Sequence, residues 1–224
     1  MKKTHLLTFL FLPLTIFSQE MKTDWANIDR YSKENQILKT EDNKDNRVVF
    51  MGNSITEGWK TNDPEFFSKN NYVNRGIGGQ TTSQMLVRFR PDVIDLKPKL
   101  VVILAGINDI AQNNGPIELQ DIFGNIVSMV ELAKANIIKV ILSSVLPAND
   151  FPWKKGMEPA EKIIELNKML EKYAFENKII FVNYYPKMVN SEKGLDKKYT
   201  NDGVHPTLAG YKVMEPLVQE AILK

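Results

Sequence analysis

Short apolar runs alternate with longer stretches of helical periodicity along most of the chain. Arg47–Met51 (RVVFM), Tyr72–Arg75 (YVNR), Leu100–Ala105 (LVVILA), Lys139–Ser144 (KVILSS) and Lys178–Tyr184 (KIIFVNY) are the apolar runs. Continuous runs of this kind suit strands covered on both faces, not strands with one face in water. Between them, Pro116–Ala135 opens with proline in its first turn and sets Ile122, Ile126, Val130 and Ala133 on one stripe. Pro159–Asn177 repeats the device with Ile163, Leu166, Leu170 and Tyr173. Thr207–Leu223 reads as a last helix with Thr207 as its N-cap, and Pro216 is expected to kink it or end its first half. Strands alternating with helices predict one α/β domain over 47–224, a three-layer α/β/α sandwich around a five-stranded parallel sheet.

Residues 19–46 are polar, with Trp25, Ile28, Tyr31 and Ile37 near helical spacing. This predicts a helix packed on the domain, followed by a charged linker over Glu41–Asn46. Residues 1–18 read as an export signal. Lys2 and Lys3 form a basic start, nine of the twelve residues Leu6–Phe17 are apolar, and Ser18 offers a small residue for cleavage. That run is short for a membrane span and has the length of a signal-peptide core. A secreted or periplasmic product without a stable membrane anchor is the expectation.

Composition narrows the chemistry. At 224 residues with 43% hydrophobic and 25% charged, the chain is long enough for one sizeable core. A net charge of +2 argues against a dedicated nucleic-acid binder, which needs a basic face. The absence of cysteine excludes disulfides, thiolate metal sites, cysteine nucleophiles and a lipid-modified cysteine. The two histidines are His5 and His205. Cleavage after Ser18 removes the first, which leaves His205 to carry any histidine chemistry and excludes a multi-histidine metal site.

In doubly wound sheets, ligands bind outside the carboxyl ends of the strands. The segments found there are Gly52-Asn53-Ser54-Ile55-Thr56, Gly76-Ile77-Gly78-Gly79-Gln80-Thr81-Thr82 and Gly106-Ile107-Asn108-Asp109; Asp202-Gly203-Val204-His205-Pro206 precedes the last helix. Each alone reads as a turn. Gly-Ile-Gly-Gly has neither dinucleotide-fingerprint spacing nor a P-loop lysine. The convergence of all four on one sheet edge, across the 151 residues from Ser54 to His205, is what points to a site.

With these blocks in view, the chain resembles the SGNH hydrolases, or GDSL-type esterases, over residues 47 to the end. The matching residues are Ser54 in GNSIT, Gly79 in GIGGQTT, Asn108 in GIND and His205 in DGVH, with Asp202 three residues before the histidine. GIGGQTT and GIND look most like the branch of platelet-activating-factor-type acetylhydrolases and bacterial carbohydrate acetylesterases. One departure is Asn53, where the family usually has aspartate; it keeps a short acceptor for the turn and loses the charge. The resemblance implies a flavodoxin-like fold and a Ser54–His205–Asp202 catalytic set. It also implies an oxyanion hole from the N–H groups of Ser54 and Gly79 and the Asn108 amide, with no metal or organic cofactor. A neutral serine needs such a base, and the base needs a carboxylate to hold its tautomer.

The implied activity is hydrolysis of short acyl esters, acetyl foremost, with a small acyl ester or an acetylated carbohydrate as substrate. Alternatives are a lysophospholipase or lipid acylhydrolase using the same triad, which would want a wide apolar groove, and a non-catalytic carbohydrate-binding accessory protein. Asp109 reads as a brace for the turn that carries Asn108. Arg75, Arg88 and Arg90 read as ion-paired or capping residues, with contact to an anionic substrate as the alternative. Val145–Met157 (VLPANDFPWKKGM) is long for a strand-to-helix loop. Its Phe151 and Trp153, stiffened by nearby prolines, form either a substrate wall or a pin to the core.

Overall fold

The computed structural model describes residues 24–41 and 46–224. The expected export signal and most of the expected charged linker lie outside the described residues. In chain order the elements are a 3-10 turn at Ile28–Tyr31, α1 (Ser32–Thr40), β1 (Val48–Gly52), α2 (Ser54–Asn62), α3 (Pro64–Ser68), β2 (Tyr72–Gly76), α4 (Thr82–Val87) and α5 (Phe89–Asp92). They continue with a 3-10 turn at Ile94–Leu96, β3 (Leu100–Leu104), α6 (Ile107–Ile110), α7 (Leu119–Ala135), β4 (Lys139–Ser143), α8 (Ala160–Glu176), β5 (Ile180–Val182), α9 (Tyr185–Met188) and α10 (Leu208–Ile222).

The five strands are parallel, in the order β2-β1-β3-β4-β5. The three-layer sandwich expected from the alternating pattern is the fold observed. The helices sort into two layers by contact: α2 meets α3 and α10 on one side, and α7 meets α4 and α8 on the other. Every residue of β1 and β3 is buried, which is why those strands read as unbroken apolar runs. The chain leaves β1 toward β2 and returns past it to β3, so the order reverses between β1 and β3. A crevice opens at such a reversal, at the carboxyl ends of the two strands.

The fifth strand is shorter than its apolar run suggests. It spans three residues, because Lys178 takes a left-handed φ of 55° before it and α9 begins soon after. Helix α10 runs through Pro216 without ending. Pro216 faces solvent, where water can serve the Lys212 carbonyl that proline leaves free, while buried Tyr211, Met214 and Val218 hold the helix down. Thr207 stands at the N-cap, but its hydroxyl donates to the Tyr199 carbonyl and not into the helix.

The N-terminal segment packs differently from its expected apolar stripe. Trp25, Ile28 and Ile37 are exposed. Ala26 and Asn35 are the buried residues, and Asn35 accepts from Arg75 at 2.7 and 3.0 Å and donates to Asp92 at 2.7 Å. The segment is held by hydrogen bonds to a buried arginine, a signal to which hydrophobic periodicity is blind.

Helices α7 and α8 close alike. Ile138 N–H donates to the Ala133 carbonyl and Ile137 N–H to Lys134; Ile179 donates to Ala174 and Lys178 to Phe175. This is the Schellman pattern, which puts one residue in the left-handed region, usually glycine. Here the position is held by Ile137 (φ 61°), a residue that is 94% exposed. A β-branched residue is strained there. Ile137→Gly is therefore expected to raise the unfolding free energy by about 1 kcal/mol. Urea denaturation checks it; an unchanged or lower midpoint would show that the strain is relieved elsewhere.

Candidate active site

Ser54 is the first residue of α2, so its N–H has no acceptor within the helix. Asn53 before it is fully buried and accepts from the Ile55 N–H at 3.1 Å, which fixes the turn from β1 into α2. The acceptor role expected of Asn53 is thus filled by its carbonyl oxygen, while its amide nitrogen is buried without a partner among the described residues. Gly76, at the end of β2, lets α2 come close: a Cβ there would lie 2.1 Å from the Glu57 nitrogen.

The structure brings His205 to Ser54. Ser54 Oγ lies 2.9 Å from His205 Nε2, and His205 Nδ1 lies 2.6 Å from Asp202 Oδ2. The second Asp202 oxygen accepts from the backbone N–H groups of Val204 and His205 at 2.9 and 2.8 Å and from the Thr200 hydroxyl at 3.1 Å. Burial works against the Asp202 charge, but the His205 N–H, the His205 ring and the Val204 N–H outweigh it, bringing the carboxyl down to about 2. The aspartate stays ionised across the neutral range. A hydroxyl, an imidazole and a carboxylate in this line can pass a proton from the first to the second while the third holds the ring.

Gly79 follows Gly78, where a Cβ would lie 3.9 Å from the Ser54 Cβ; it takes φ 75°, a conformation that suits glycine, and no atom would crowd a Cβ there. Asn108 is buried in α6 and donates from Nδ2 to the Gln80 carbonyl at 3.0 Å. That bond engages one of its two amide hydrogens. Asp109 is buried next to it and ties the turn that carries Asn108 to the start of α4: its oxygens accept from the Thr82 N–H at 2.9 and 3.0 Å and from the Thr82 hydroxyl at 2.6 Å. Arg75 and Arg88 are fully buried and serve the fold; Arg90 is exposed, 3.9 Å from Asp95.

The aromatic pair after β4 divides. Phe151 is completely buried, so it forms no solvent-facing wall. It is the support on which Trp153 stacks, at 5.2 Å between ring centroids. Trp153 is 45% exposed, 5.9 Å from the His205 ring, and donates from its indole to Asn113 at 3.2 Å. Asn113 in turn donates to the Gly79 carbonyl at 3.2 Å. Asn113 and Gln80 carry the site's framework, yet no spacing or periodicity marks either. A cavity of about 750 Å3 opens at the opposite ends of the strands, lined by Val48, Tyr72, Leu100 and Ile180, the first residues of β1, β2, β3 and β5, and by none of these groups.

Residues 50–213 match the model of the GDSL-like lipase/acylhydrolase family. The chain belongs to this family. With membership comes the reaction class, and the protein is a carboxylic ester hydrolase. This GDSL-like hydrolase is 56% identical to a GDSL-like lipase from Bacteroides thetaiotaomicron, with a TM-score of 0.86 over 88% of this chain and 98% of the other. It is 27% identical to the esterase TesA of Pseudomonas aeruginosa over 77% of this chain and 86% of TesA. An acetyl-xylooligosaccharide esterase from Geobacillus stearothermophilus, 20% identical, superimposes with a TM-score of 0.64 over 79% of this chain and 94% of its own, a likeness of fold alone.

Asp109 makes the hydrolase's stability depend on pH. Burial raises its pKa to about 6 against the opposing Thr82 bonds, while in the unfolded chain an aspartate titrates near 3.9. Because the folded value is the higher, the folded state disfavours the charged form. The penalty is full above about pH 7 and is relieved as pH falls toward about 4, a swing of about 3 kcal/mol. Asp109→Asn lacks the titration. The difference in unfolding free energy, wild type minus variant, is expected to grow on acidification from about pH 7 to 5, as followed by chemical denaturation; a constant difference refutes it.

Proposed function

We propose that this hydrolase is a secreted serine esterase that removes short acyl groups, acetyl foremost, from carbohydrate. The observation that carries the chemistry is the continuous line Ser54–His205–Asp202, at 2.9 and 2.6 Å. In the first half-reaction Ser54 Oγ attacks the ester carbonyl and its proton passes to His205 Nε2. Asp202 keeps the Nδ1 hydrogen in place and balances the imidazolium. The N–H groups of Ser54 and Gly79 and the free amide hydrogen of Asn108 receive the oxyanion. The tetrahedral intermediate collapses, the C–O bond to the alcohol breaks, and His205 returns the proton to the leaving oxygen. Water then attacks the acyl-serine by the same route, releasing the carboxylic acid and the free serine. Losing one oxyanion donor typically costs about 3–4 kcal/mol of barrier.

The carbohydrate assignment rests on Trp153. An exposed indole 5.9 Å from the His205 ring, backed by Phe151 and held by Asn113, has the character of a platform for a sugar ring. A fold shared with an acetyl-xylooligosaccharide esterase is in keeping with it. The secreted location rests on the basic and apolar pattern of residues 1–18, and no helix among the described residues is long and apolar enough to cross a membrane.

Ser54→Ala and His205→Ala are each expected to lower kcat on an aryl acetate by about 10^4-fold or more, with the double variant hardly worse than either, because groups acting as one unit lose their effect together. Steady-state kinetics on folded protein checks this, and multiplicative losses would separate the two residues. Trp153→Ala is expected to raise KM for an acetylated oligosaccharide by about threefold to tenfold while leaving a small aryl acetate within about twofold. Equal effects on both substrates would make Trp153 a packing residue.

A further inference from the structure

The strap Asp24–Tyr31 lies outside the family match, which begins at residue 50. It nevertheless fastens to the loop that carries Gly79. Gln80 Nε2 donates to the Ala26 carbonyl at 2.6 Å, and Gln84 Nε2 donates to the Trp25 carbonyl at 2.8 Å. Arg30 donates to Glu57 Oε1 at 3.0 Å, and the other Glu57 oxygen accepts the Gly78 N–H at 2.9 Å. The Tyr31 hydroxyl donates to the Gly76 carbonyl, with the Arg75 guanidinium over its ring. The strap therefore grips the segment from Gly76 to Gln84 directly at three points, and at a fourth, Gly78, through Glu57.

Gln80 is where this grip meets the site. Its side chain is buried between two elements: Oε1 accepts from Arg88 Nε at 2.5 Å while Nε2 reaches the strap. Its backbone carbonyl, one residue past Gly79, is the acceptor that orients the Asn108 amide. Arg88 also donates to the Gly52 carbonyl at 2.9 Å, two residues before Ser54. One buried glutamine thus ties the strap, the end of β1 and the two oxyanion donors beyond Ser54 into one frame.

We infer that the strap is a positioning element of the oxyanion hole, acting through Gln80, and that turnover depends on its staying docked. This rests on the oxyanion role given above to Gly79 and Asn108. Misplacing a donor by about 1 Å costs up to about a hundredfold in rate, so a loosened frame is felt in kcat and not in substrate affinity.

Gln80→Glu and Gln84→Glu test it. Each keeps the oxygen that serves the enzyme body, toward Arg88 or toward the Thr81 N–H and Asn114, and replaces the donor to the strap with an oxygen that repels its carbonyl. The full-length double variant is compared with wild type for kcat and KM on a small aryl acetate, and hydrogen exchange is followed over residues 24–41. Lys39→Ala, which cuts an exposed pair with Asp95, is the control. The expected result is faster exchange in the strap, a kcat lower by about tenfold to a hundredfold and a KM within about threefold, with the control unchanged. Faster exchange with unchanged kcat would overturn the inference, as would unaltered exchange, or a fall in kcat while the strap stays protected. An inactive wild type would instead count against the esterase reading itself, a separate outcome.

Discussion

The contact between α2 and α10 is the one on which the rest of the site depends. Trp59 of α2 stacks on Tyr211 of α10 at 5.3 Å, and the Tyr211 hydroxyl donates to the Ile55 carbonyl at 2.8 Å. Trp59 also donates to Glu215, and Lys212 bridges Glu215 to Asp63 at the end of α2. Helix α2 begins at Ser54, and α10 follows His205. Aromatic burial of this size, with each polar tip partnered, sets both the spacing and the rotation of the pair. Phe50, Phe66 and Phe67 complete the packing and seat α2 on β1. A hydrogen bond between side chains 151 residues apart is then a consequence of core packing.

Beneath the other half of the site the cohesion is polar. Arg88 has no contact with water and satisfies its guanidinium with Asp92, Gln80 and the carbonyls of Gly52 and Arg75. A buried cation left with unmade bonds is costly, so each partner is held in its place. The apolar side of the site fixes where Ser54 and His205 meet, and the polar side fixes where their donors point.

The architecture was legible because its signals are periodic. Fully buried β1 and β3 appear as apolar runs, and α7 and α8 as apolar stripes with proline before them. Ser54 was legible from its place after the first strand, and Asp202 and His205 from family resemblance and their place before the last helix. What escaped was set by single long-range hydrogen bonds. Nothing periodic distinguishes Gln80 from a surface glutamine, or tells that Asn35 would be buried while Ile37 is exposed. The fate of Phe151 and Trp153, two residues apart, depended on which way each faces on an irregular loop, where no repeat applies. Pro216 does not end the last helix for a related reason: its cost falls on a helix face that water can reach.

The hydrogen bonds of Asp202 have a further consequence. One carboxylate oxygen binds the backbone of the same turn and the other binds the ring three residues on, so acid and base form a single short unit of chain, from Thr200 to Pro206. Their mutual geometry is written locally and survives any motion that moves this turn as a whole. The weak joint of the relay is the Ser54–His205 contact, which spans two distant parts of the polypeptide. If the last helix lifts from the body, the base and its aspartate depart together and the serine is left alone. The Ser54–His205–Asp202 line is thus a latch, with one side written locally and the other closed by packing.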